Sequence, residues 1–251
     1  MTMESSKDSR SKDTDSQEID SKEINSKEIS PKEISPKEIR KQKRYEAIID
    51  AAEKVIFSRG LEDASMDMVA KEAQLGKGTL YLYFKSKNEL YRAILYRAFL
   101  ALRRKFLAAL NPLQGEVNQE KMEKTGLDGL KVILAAYLQF YHENKDYFNA
   151  ILYFQNDLFN LEDPAANEKV YLGEGIAAIE LVIEQIEKGK KDGSVRSDLD
   201  AATAAYTFWG QTMGVLQLVQ KKMTIVEHYH QLKAEQLISQ HFEVIVSFLA
   251  K

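Results

Sequence analysis

The chain has 251 residues, of which 44% are hydrophobic and 29% charged, and its formal net charge is −3. It contains no cysteine, which excludes a disulfide framework and a thiolate metal site and suits a reducing cytoplasm. The N-terminal stretch has no apolar segment behind basic residues, so we expect a cytoplasmic protein without a secretory signal.

Residues 1–39 are predicted to form a disordered, low-complexity tail. They are rich in Ser, Lys, Glu and Asp and carry 7 basic and 10 acidic side chains. A five-residue repeat ends this tail (SKEIN-SKEIS-PKEIS-PKEIR), and on a helix its isoleucines would rotate by about 140° per repeat. They cannot be buried together, so the composition favours a mobile segment. A tail that tunes DNA or partner binding is the alternative.

Residues 40–105 form a basic block with 15 basic and 8 acidic side chains, whereas residues 106–251 carry 13 basic and 20 acidic ones. Lysine and arginine release counterions when they bind phosphates, so a basic block is what a DNA-binding domain needs. An ordinary solvated surface is the alternative. Lys43 and Arg44 end a basic junction before the first predicted helix, over about 44–58, and we expect this junction to contact DNA.

Three helix signals follow one another between Ser65 and Leu90. Ser65 is a favoured N-cap residue, and the apolar residues after it recur at the helical spacing i, i+3, i+4 and i+7. Glycines interrupt this pattern, and a second helix is predicted from Lys77. The sequence SKNE at 86–89 is a capping box that opens a third helix. Two short helices joined by a tight turn indicate a helix-turn-helix, whose second helix enters the major groove.

The second of these helices carries a specific motif: KGTLY at 77–81, then YF at 83–84 and SK at 86–87. This motif resembles the recognition region of the TetR/AcrR family of bacterial transcriptional regulators. The preceding segment, EAIIDAAEKVIFSRGLEDASMDMVAKEA, resembles the family as well. The likeness covers roughly residues 44–92.

The resemblance implies an all-α homodimer that binds DNA and a small molecule. It assigns residues 40–90 to a three-helix DNA-binding domain with a helix-turn-helix. Residues 91–251 become a larger helical domain for effector binding and dimerisation. Family members often have glycine where Gln74 stands and a small hydroxyl residue where Gly76 stands, so we expect the turn to differ here.

The recognition helix supplies the chemistry for contacts with a palindromic operator in double-stranded DNA. Lysine can donate to guanine O6 and N7, threonine can contact a base or a phosphate, and glycine permits close approach. Lys87 lies at N1 of the following helix, where free N–H groups favour an anion. Partial burial is the alternative for Tyr81. The candidate DNA-binding residues are Lys43, Arg44, Ser65, Lys77, Gly78, Thr79, Tyr81, Tyr83 and Lys87.

A long fourth helix, from Lys87 towards Leu110, is predicted to join the two domains and act as a lever. Thr125 can cap the next helix, and Asp163 with the following proline indicates another N-terminus. A capping box that begins at Thr224 predicts the start of the last helix, to about residue 250.

Residues 201–220 contain no charged side chain, and a segment of this length could span a membrane. A stripe of polar and small residues, which includes Gln211 and Gly214, argues instead for a helix buried on two sides. Gly210 and Gly214 would allow a second helix to approach closely. In the family the last two helices pair with those of a second subunit, so we expect a homodimer without a membrane segment.

Large side chains of the second domain are candidates for an effector pocket, with plain core packing as the alternative for each. Ligand sites are mostly apolar with a few polar groups, so we expect a small, apolar effector. By resemblance, the effector favours a form of the dimer whose recognition helices are misspaced for the operator. The candidate effector-binding residues are Tyr137, Tyr141, Phe148, Phe154, Trp209 and Met213.

Enzyme motifs are missing or incomplete in this sequence. GKGT at 76–79 lacks the upstream glycine of a P-loop, because Lys71 stands there, and GEG at 173–175 follows no predicted strand. His228 and His230 would lie about 200° apart on a helix and cannot share a metal. We therefore expect no enzyme, no cofactor and no metal.

The sequence predicts a sequence-specific transcriptional regulator, a repressor released from its operator by a small apolar effector. The alternative is a helical ligand-binding or architectural module with only non-specific DNA binding.

Overall fold

The computed structural model describes residues 35–111, 125–154 and 168–251, with the side chains of 154 and 168–172 left out. The described residues form α-helices joined by short connections, and an isolated bridge between Val195 and Ala250 is the sole β-type pairing among them. The predicted all-α class is therefore confirmed. The helices are α1 (Pro36–Arg59), α2 (Met66–Glu72), α3 (Lys77–Tyr83), α4 (Lys87–Leu110), α5 (Gly126–Glu143), α6 (Lys145–Phe154), α7 (Glu168–Asp192), α8 (Ala201–His230) and α9 (Ala234–Leu249).

The N-terminal unit consists of α1, α2, α3 and the first turns of α4 around one apolar core. Ile48, Leu80 and Leu90 come from three different helices and are completely buried. The ring of Tyr45 stacks on that of Phe84, with centroids 4.9 Å apart. The long helices α1 and α4 thus hold the two short helices, which are too short to be stable alone.

Side-chain caps define several helix starts that the sequence predicts. The Ser65 hydroxyl accepts from the Met68 amide at 3.3 Å and begins α2. Thr125 and Asp128 form a reciprocal capping box at α5. At α4 the Ser86 hydroxyl caps as predicted, but the Glu89 carboxylate accepts from the amide of Lys85 rather than from that of the N-cap. The predicted bounds of α4 are confirmed.

Helix α1 starts eight residues before the predicted start at about residue 44. Ser35 and Glu38 form a reciprocal capping box, and Pro36 occupies the first helical position, where its missing N–H costs nothing. The sequence prediction missed this start because the repeat around it gives no apolar stripe. Residues 36–39 therefore belong to the helix and Ser35 caps it, while residues 1–34 of the predicted tail lie outside the described residues.

The predicted start of the last helix at Thr224 is wrong. Helix α8 continues through this residue to His230 and ends where Gln231 adopts the left-handed conformation with φ 53°. A Thr-x-x-Glu pattern also fits a helix interior, so the pattern alone does not break a helix. Helix α9 begins after Lys233. The N-terminus predicted at Asp163 lies outside the described residues.

The second domain surrounds α4, which packs against α5, α6 and α7. Helices α5 and α7 cross closely where Gly126 faces Gly189. Helices α8 and α9 cover the remaining side of α5 and α7. Although α8 has 30 residues, the described part of the chain contains no helix with the length and apolarity of a membrane span.

Candidate DNA interface and effector cavity

The turn between α2 and α3 contains Gln74 and Gly76, the two residues that depart from the family pattern. Gln74 adopts φ 55°, a left-handed conformation that favours glycine and costs other residues roughly 1–2 kcal/mol. The amide of Leu75 then donates to the carbonyl of Ala70 at 2.8 Å and closes the turn. Gly76 is the N-cap of α3 and offers no side-chain cap. The helix-turn-helix forms nevertheless, with a less favourable turn.

Helix α3 has one exposed and one buried face. Leu80 is completely buried, which fixes the helix on the core. Lys77, Gly78 and Tyr81 lie on the exposed side, and a Cβ on Gly78 would meet nothing within 4 Å, so the surface there is open to an approaching molecule. Thr79 is half-buried beside this face.

The sequence analysis missed Leu82, whose side chain is 77% exposed on α3. It lies four residues after Gly78 and therefore on the same exposed side of the helix. An exposed leucine on a recognition helix can contact a thymine methyl group in the major groove. The spacing from Gly78 is the signal that would have indicated it.

Lys77 has an acidic partner on the preceding helix. Its Nζ lies 2.7 Å from Oδ1 of Asp67, and both side chains are well exposed. The hydrogen bond to Asp67 and the attraction of its charge raise the pKa of Lys77. An exposed pair of this kind is weak, so a DNA base or phosphate can replace Asp67.

The remaining predicted DNA contacts occupy the edges of this unit. The ammonium of Lys87 donates to the carbonyl of Glu62 at 3.0 Å, so in the free protein it is turned towards the loop before α2. Tyr83 is half-buried, while Lys43 and Arg44 are exposed on α1. Ser65 serves as the cap of α2.

A network of charged and polar side chains connects α1 to α4 and to α6. The guanidinium of Arg97 lies 2.5 Å from Glu46, 2.7 Å from Asp50 and 3.2 Å from Glu53. The Tyr147 hydroxyl of α6 donates to Glu53 at 3.0 Å. Burial, together with the charge of Glu53, raises the pKa of Tyr147 to about 12, so this phenol stays protonated and keeps donating. The network ties the DNA-binding unit to the second domain.

The second domain contains an apolar cavity of about 250 Å³ between α4, α5, α7, α8 and α9. Ile176 and Tyr206 are about half exposed in its wall, so the cavity reaches the surface between α7 and α8. Among the described residues that line the wall, none is Asp, Glu, Lys, Arg or His. Its residues are Phe99, Leu102, Phe106, Leu130, Ile133, Leu134, Tyr137, Gly175, Ile176, Ala178, Ile179, Val182, Ile186, Ala205, Tyr206, Phe208, Trp209, Thr212, Ile245 and Leu249.

Neutral hydrogen-bonding groups provide the polarity of the cavity. The Tyr137 hydroxyl donates to Sδ of Met213 at 2.7 Å, and its burial raises its pKa, so it remains a neutral donor. The Thr212 hydroxyl donates to the carbonyl of Phe208 and lies 2.9 Å from Nε2 of His241. Burial lowers the pKa of His241, which favours its neutral form.

The predicted effector-binding residues divide into two groups. Tyr137 and Trp209 lie in the cavity wall. Met213 is not part of the wall but accepts the hydrogen bond of the Tyr137 hydroxyl. Phe148 is completely buried in the core, with Tyr141 packed edge-on against it at 4.9 Å; both lie outside the wall. The side chain of Phe154 lies outside the described residues.

Most of the wall consists of aliphatic residues that the sequence analysis did not choose. The isoleucine stripe of α7 supplies Ile176, Ile179 and Ile186, and α4 supplies Phe99 and Phe106. Aromatic character could not identify the wall, because large rings fill cores and pockets alike. Two of the aromatic residues that were chosen, Tyr141 and Phe148, therefore lie outside the wall. The regular stripes on two facing helices were the better signal.

An exposed helix-turn-helix, joined by one long helix to a helical domain that contains a cavity, is the architecture of a helix-turn-helix regulator. A family profile described as bacterial regulatory proteins, tetR family, matches residues 48–94. The HTH-type transcriptional repressor KstR2 of Rhodococcus jostii is 30% identical over 166 residues, which are 65% of this chain and 74% of that protein. The chain therefore belongs to the TetR family.

Two further comparisons agree with this assignment. The fatty acid metabolism regulator protein of Bacillus subtilis is 41% identical over 51 residues, 20% of this chain and 26% of its own length. This match and three similar ones span only 26–36% of the curated relatives concerned. The structure of SmeT, the repressor of a multidrug efflux pump of Stenotrophomonas maltophilia, shares the fold with a TM-score of 0.57 at 15% identity, over 82% of this chain and 90% of that chain.

Proposed function

We propose that the protein is a dimeric, sequence-specific transcriptional repressor that leaves its operator when an uncharged apolar effector fills the cavity. The observation that carries this proposal is the double role of α4. Its first residue, Lys87, follows the recognition helix, and its middle contributes Phe99, Leu102 and Phe106 to the cavity wall. One helix thus joins the candidate DNA interface to the candidate effector site.

The geometry of α4 supports a lever mechanism. Lys87 and Phe99 are twelve residues apart, or about 18 Å along a continuous helix. A ligand that displaces Phe99 would tilt this helix, because packed helices move as rigid bodies. The tilt would change the spacing of the two recognition helices, which must match half-sites about 34–36 Å apart. The Arg97 network would carry the same movement to α1.

The cavity favours an effector of limited size and without charge. Its volume of about 250 Å³ exceeds the roughly 150 Å³ of a cavity that holds one benzene ring, so it fits about two rings or a short acyl chain. A charged group would lose its hydration without gaining a partner. An acceptor on the effector could replace the weak sulfur acceptor of Tyr137, which favours a carbonyl or ether.

The names of relatives suggest the kind of regulation without fixing the ligand. KstR2 is a repressor, SmeT represses a multidrug efflux pump, and another relative regulates fatty acid metabolism. An apolar ligand is compatible with the apolar wall of the cavity. A fatty acid carboxylate fits the wall less well than a neutral derivative, since none of the described lining residues is a cation.

Selection of genomic DNA tests the proposed function. The purified full chain is mixed with fragments of its own genome and excess competitor DNA at physiological salt, and the retained fragments are sequenced. Recovery of a few fragments that share an inverted repeat supports a sequence-specific dimer. Uniform weak recovery that disappears with salt would instead favour the helical module with non-specific DNA binding.

Substitutions of two lysines separate phosphate contact from base recognition. We expect Lys87→Ala to weaken binding to all sequences and to lower the salt slope by about one per subunit. Lys77→Ala should relax specificity at one operator position by about 1–3 kcal/mol. Titrations of the recovered operator and of single-base variants at several salt concentrations measure both effects. Parent-like behaviour of both variants would contradict the assigned contacts.

We propose a homodimer whose interface is formed by an exposed apolar face of α8 and α9. Leu218, Ile225 and Tyr229 follow one side of α8 and are 39–73% exposed, and Val244 on α9 is 56% exposed. A Cβ on Gly214, which lies on the same side of α8, would meet nothing within 4 Å, so a second helix has room there. Exposed apolar rows of this size are typical of subunit interfaces.

Charges placed on this face should produce monomers. We expect the double variant Ile225→Lys/Val244→Lys to shift the mass in solution from dimer to monomer at micromolar concentration, without loss of helix content. Light scattering and circular dichroism measure the two quantities. Leu107→Lys is the control, because Leu107 is 41% exposed on α4, outside this face. A double variant that remains dimeric would place the interface elsewhere.

A further inference from the structure

The first turns of α1 project beyond the core of the DNA-binding unit. The first completely buried residue is Ile48, whereas residues 35–44 are all exposed. The extension is nevertheless a defined helix: the Ser35 amide donates to Glu38 at 2.9 Å, and the Ser35 hydroxyl accepts from the Glu38 amide at 3.3 Å. The family match begins only at residue 48, so this part of α1 lies outside it.

The exposed extension carries a basic stripe, which we define as Lys37, Arg40, Lys41 and Arg44. These residues have the spacing i, i+3, i+4 and i+7 and fall within an arc of about 100°. Among the described residues, none of the four takes part in a salt bridge. The acidic side chain of this segment, Glu38, lies off the stripe and is held by Ser35.

The direction of the stripe follows from the continuity of the helix. Ile48 lies eleven residues after Lys37 and therefore within about 20° of it around the axis. Ile48 faces the core that α1 shares with α2 and α4. The stripe consequently points to the same side of α1 as the helix-turn-helix, at a level where no other described residue covers it.

We propose that the basic stripe binds the phosphate backbone of DNA that flanks the operator, beyond the base pairs contacted by α3. The inference rests on the proposed DNA-binding function. The stripe extends for about 10 Å along the helix axis, which corresponds to about three base-pair steps of 3.4 Å. Because the helix is rigid and continuous with the core, its cations are placed in register with the recognition helix.

The test uses two duplexes that contain the recovered inverted repeat. One ends at the repeat, and the other continues for one helical turn of arbitrary sequence on both sides. The parent should bind the extended duplex more tightly and with a steeper dependence on salt. The variant Lys37→Ala/Arg40→Ala/Lys41→Ala should lose this advantage, with a salt slope lower by about 0.9 for each lost phosphate contact.

Two controls separate the stripe from general charge effects. Lys188→Ala/Lys190→Ala/Lys191→Ala removes the same charge from α7 and should retain the preference for the extended duplex. Gln42→Pro keeps every stripe cation but breaks the helix after Lys41, which separates Lys37, Arg40 and Lys41 from the core, so it should lose the preference. Thermal unfolding verifies that each variant remains folded.

Several results would overturn the inference. Equal binding of both duplexes by the parent, or a flank preference retained by the triple variant, would show that the stripe does not contact flanking DNA. A parent-like Gln42→Pro variant would show that the helical register has no role. If selection recovers no inverted repeat, the proposed function fails separately. A random-sequence duplex then tests the stripe, and equal salt slopes for parent and triple variant would refute it.

Discussion

Gly126→Ala is expected to lower the free energy of unfolding by about 3 kcal/mol, at the upper end of what overpacking costs. A Cβ on Gly126 would lie 2.1 Å from the Gly189 nitrogen and 2.4 Å from the carbonyl oxygen of Gln185. Both atoms belong to the backbone of α7, so no side-chain rotation can relieve the clash. Helices α5 and α7 would have to separate at their crossing.

Separation at this crossing would also break the contacts that fix the start of α5. The Gly126 amide donates to the Asp192 carboxylate at 2.7 Å, and the Leu127 amide donates to the Ser194 hydroxyl at 3.2 Å. Both donors belong to the first turn of α5, where amides have no partner within the helix. The loss of these bonds adds to the steric cost.

Chemical denaturation of the full chain measures this effect, with Gly173→Ala as the matched control. Gly173 lies inside α7, and a Cβ there would meet nothing within 4 Å. The control should raise the free energy of unfolding by up to about 1 kcal/mol, because alanine favours a helix over glycine. Equal stabilities of the two variants would show that the crossing is looser than the backbone distances indicate.

Local sequence signals were sufficient to predict α2, α3 and the start of α4, but not the early start of α1. The caps at Ser65 and Ser86 are made by side chains three residues or fewer from the amides they serve, so they can be recognised without a tertiary structure. Helix α4 was predicted at its observed bounds for the same reason. The turn was expected to differ because Gln74 replaces a frequent glycine, but Gln74 itself adopts the left-handed conformation that favours glycine.

Tertiary contacts decided the features that the sequence did not predict. The crossing of Gly126 and Gly189 joins residues far apart in the chain, and neither glycine lies in a pattern that indicates close packing. The break at Gln231 depends on one left-handed residue rather than on a capping box. A residue of the cavity wall faces open space, whereas a core residue faces other side chains. Phe99 in the wall and Phe148 in the core therefore cannot be distinguished by residue type.

Ala178→Leu is expected to make the protein insensitive to the proposed effector while leaving it folded and able to bind DNA. Ala178 is buried on α7 and lies in the cavity wall. Three added carbon atoms would occupy space inside the cavity. The larger side chain should therefore stabilise the domain by about 1–2 kcal/mol, because it buries apolar surface where atoms are missing.

The same substitution outside the cavity gives the opposite result. Ala136 on α5 is also buried, but it lies in the packed core and does not contribute to the wall. Ala136→Leu should lower the free energy of unfolding by about 1–3 kcal/mol, since close-packed surroundings must move to admit it. A comparison of the two variants by denaturation thus measures the difference between a side chain that faces the cavity and one that faces the packed core.

Binding of small aromatic probes completes the test. Naphthalene, with two rings and no charge, should raise the unfolding temperature of the parent, in accordance with ligand linkage. Naphthoate has the same rings with a carboxylate and should have little effect, because the described lining residues include no cation. In Ala178→Leu the response to naphthalene should disappear. A response to naphthoate equal to that of naphthalene would contradict an uncharged effector, and a response retained in Ala178→Leu would place the ligand site outside this cavity.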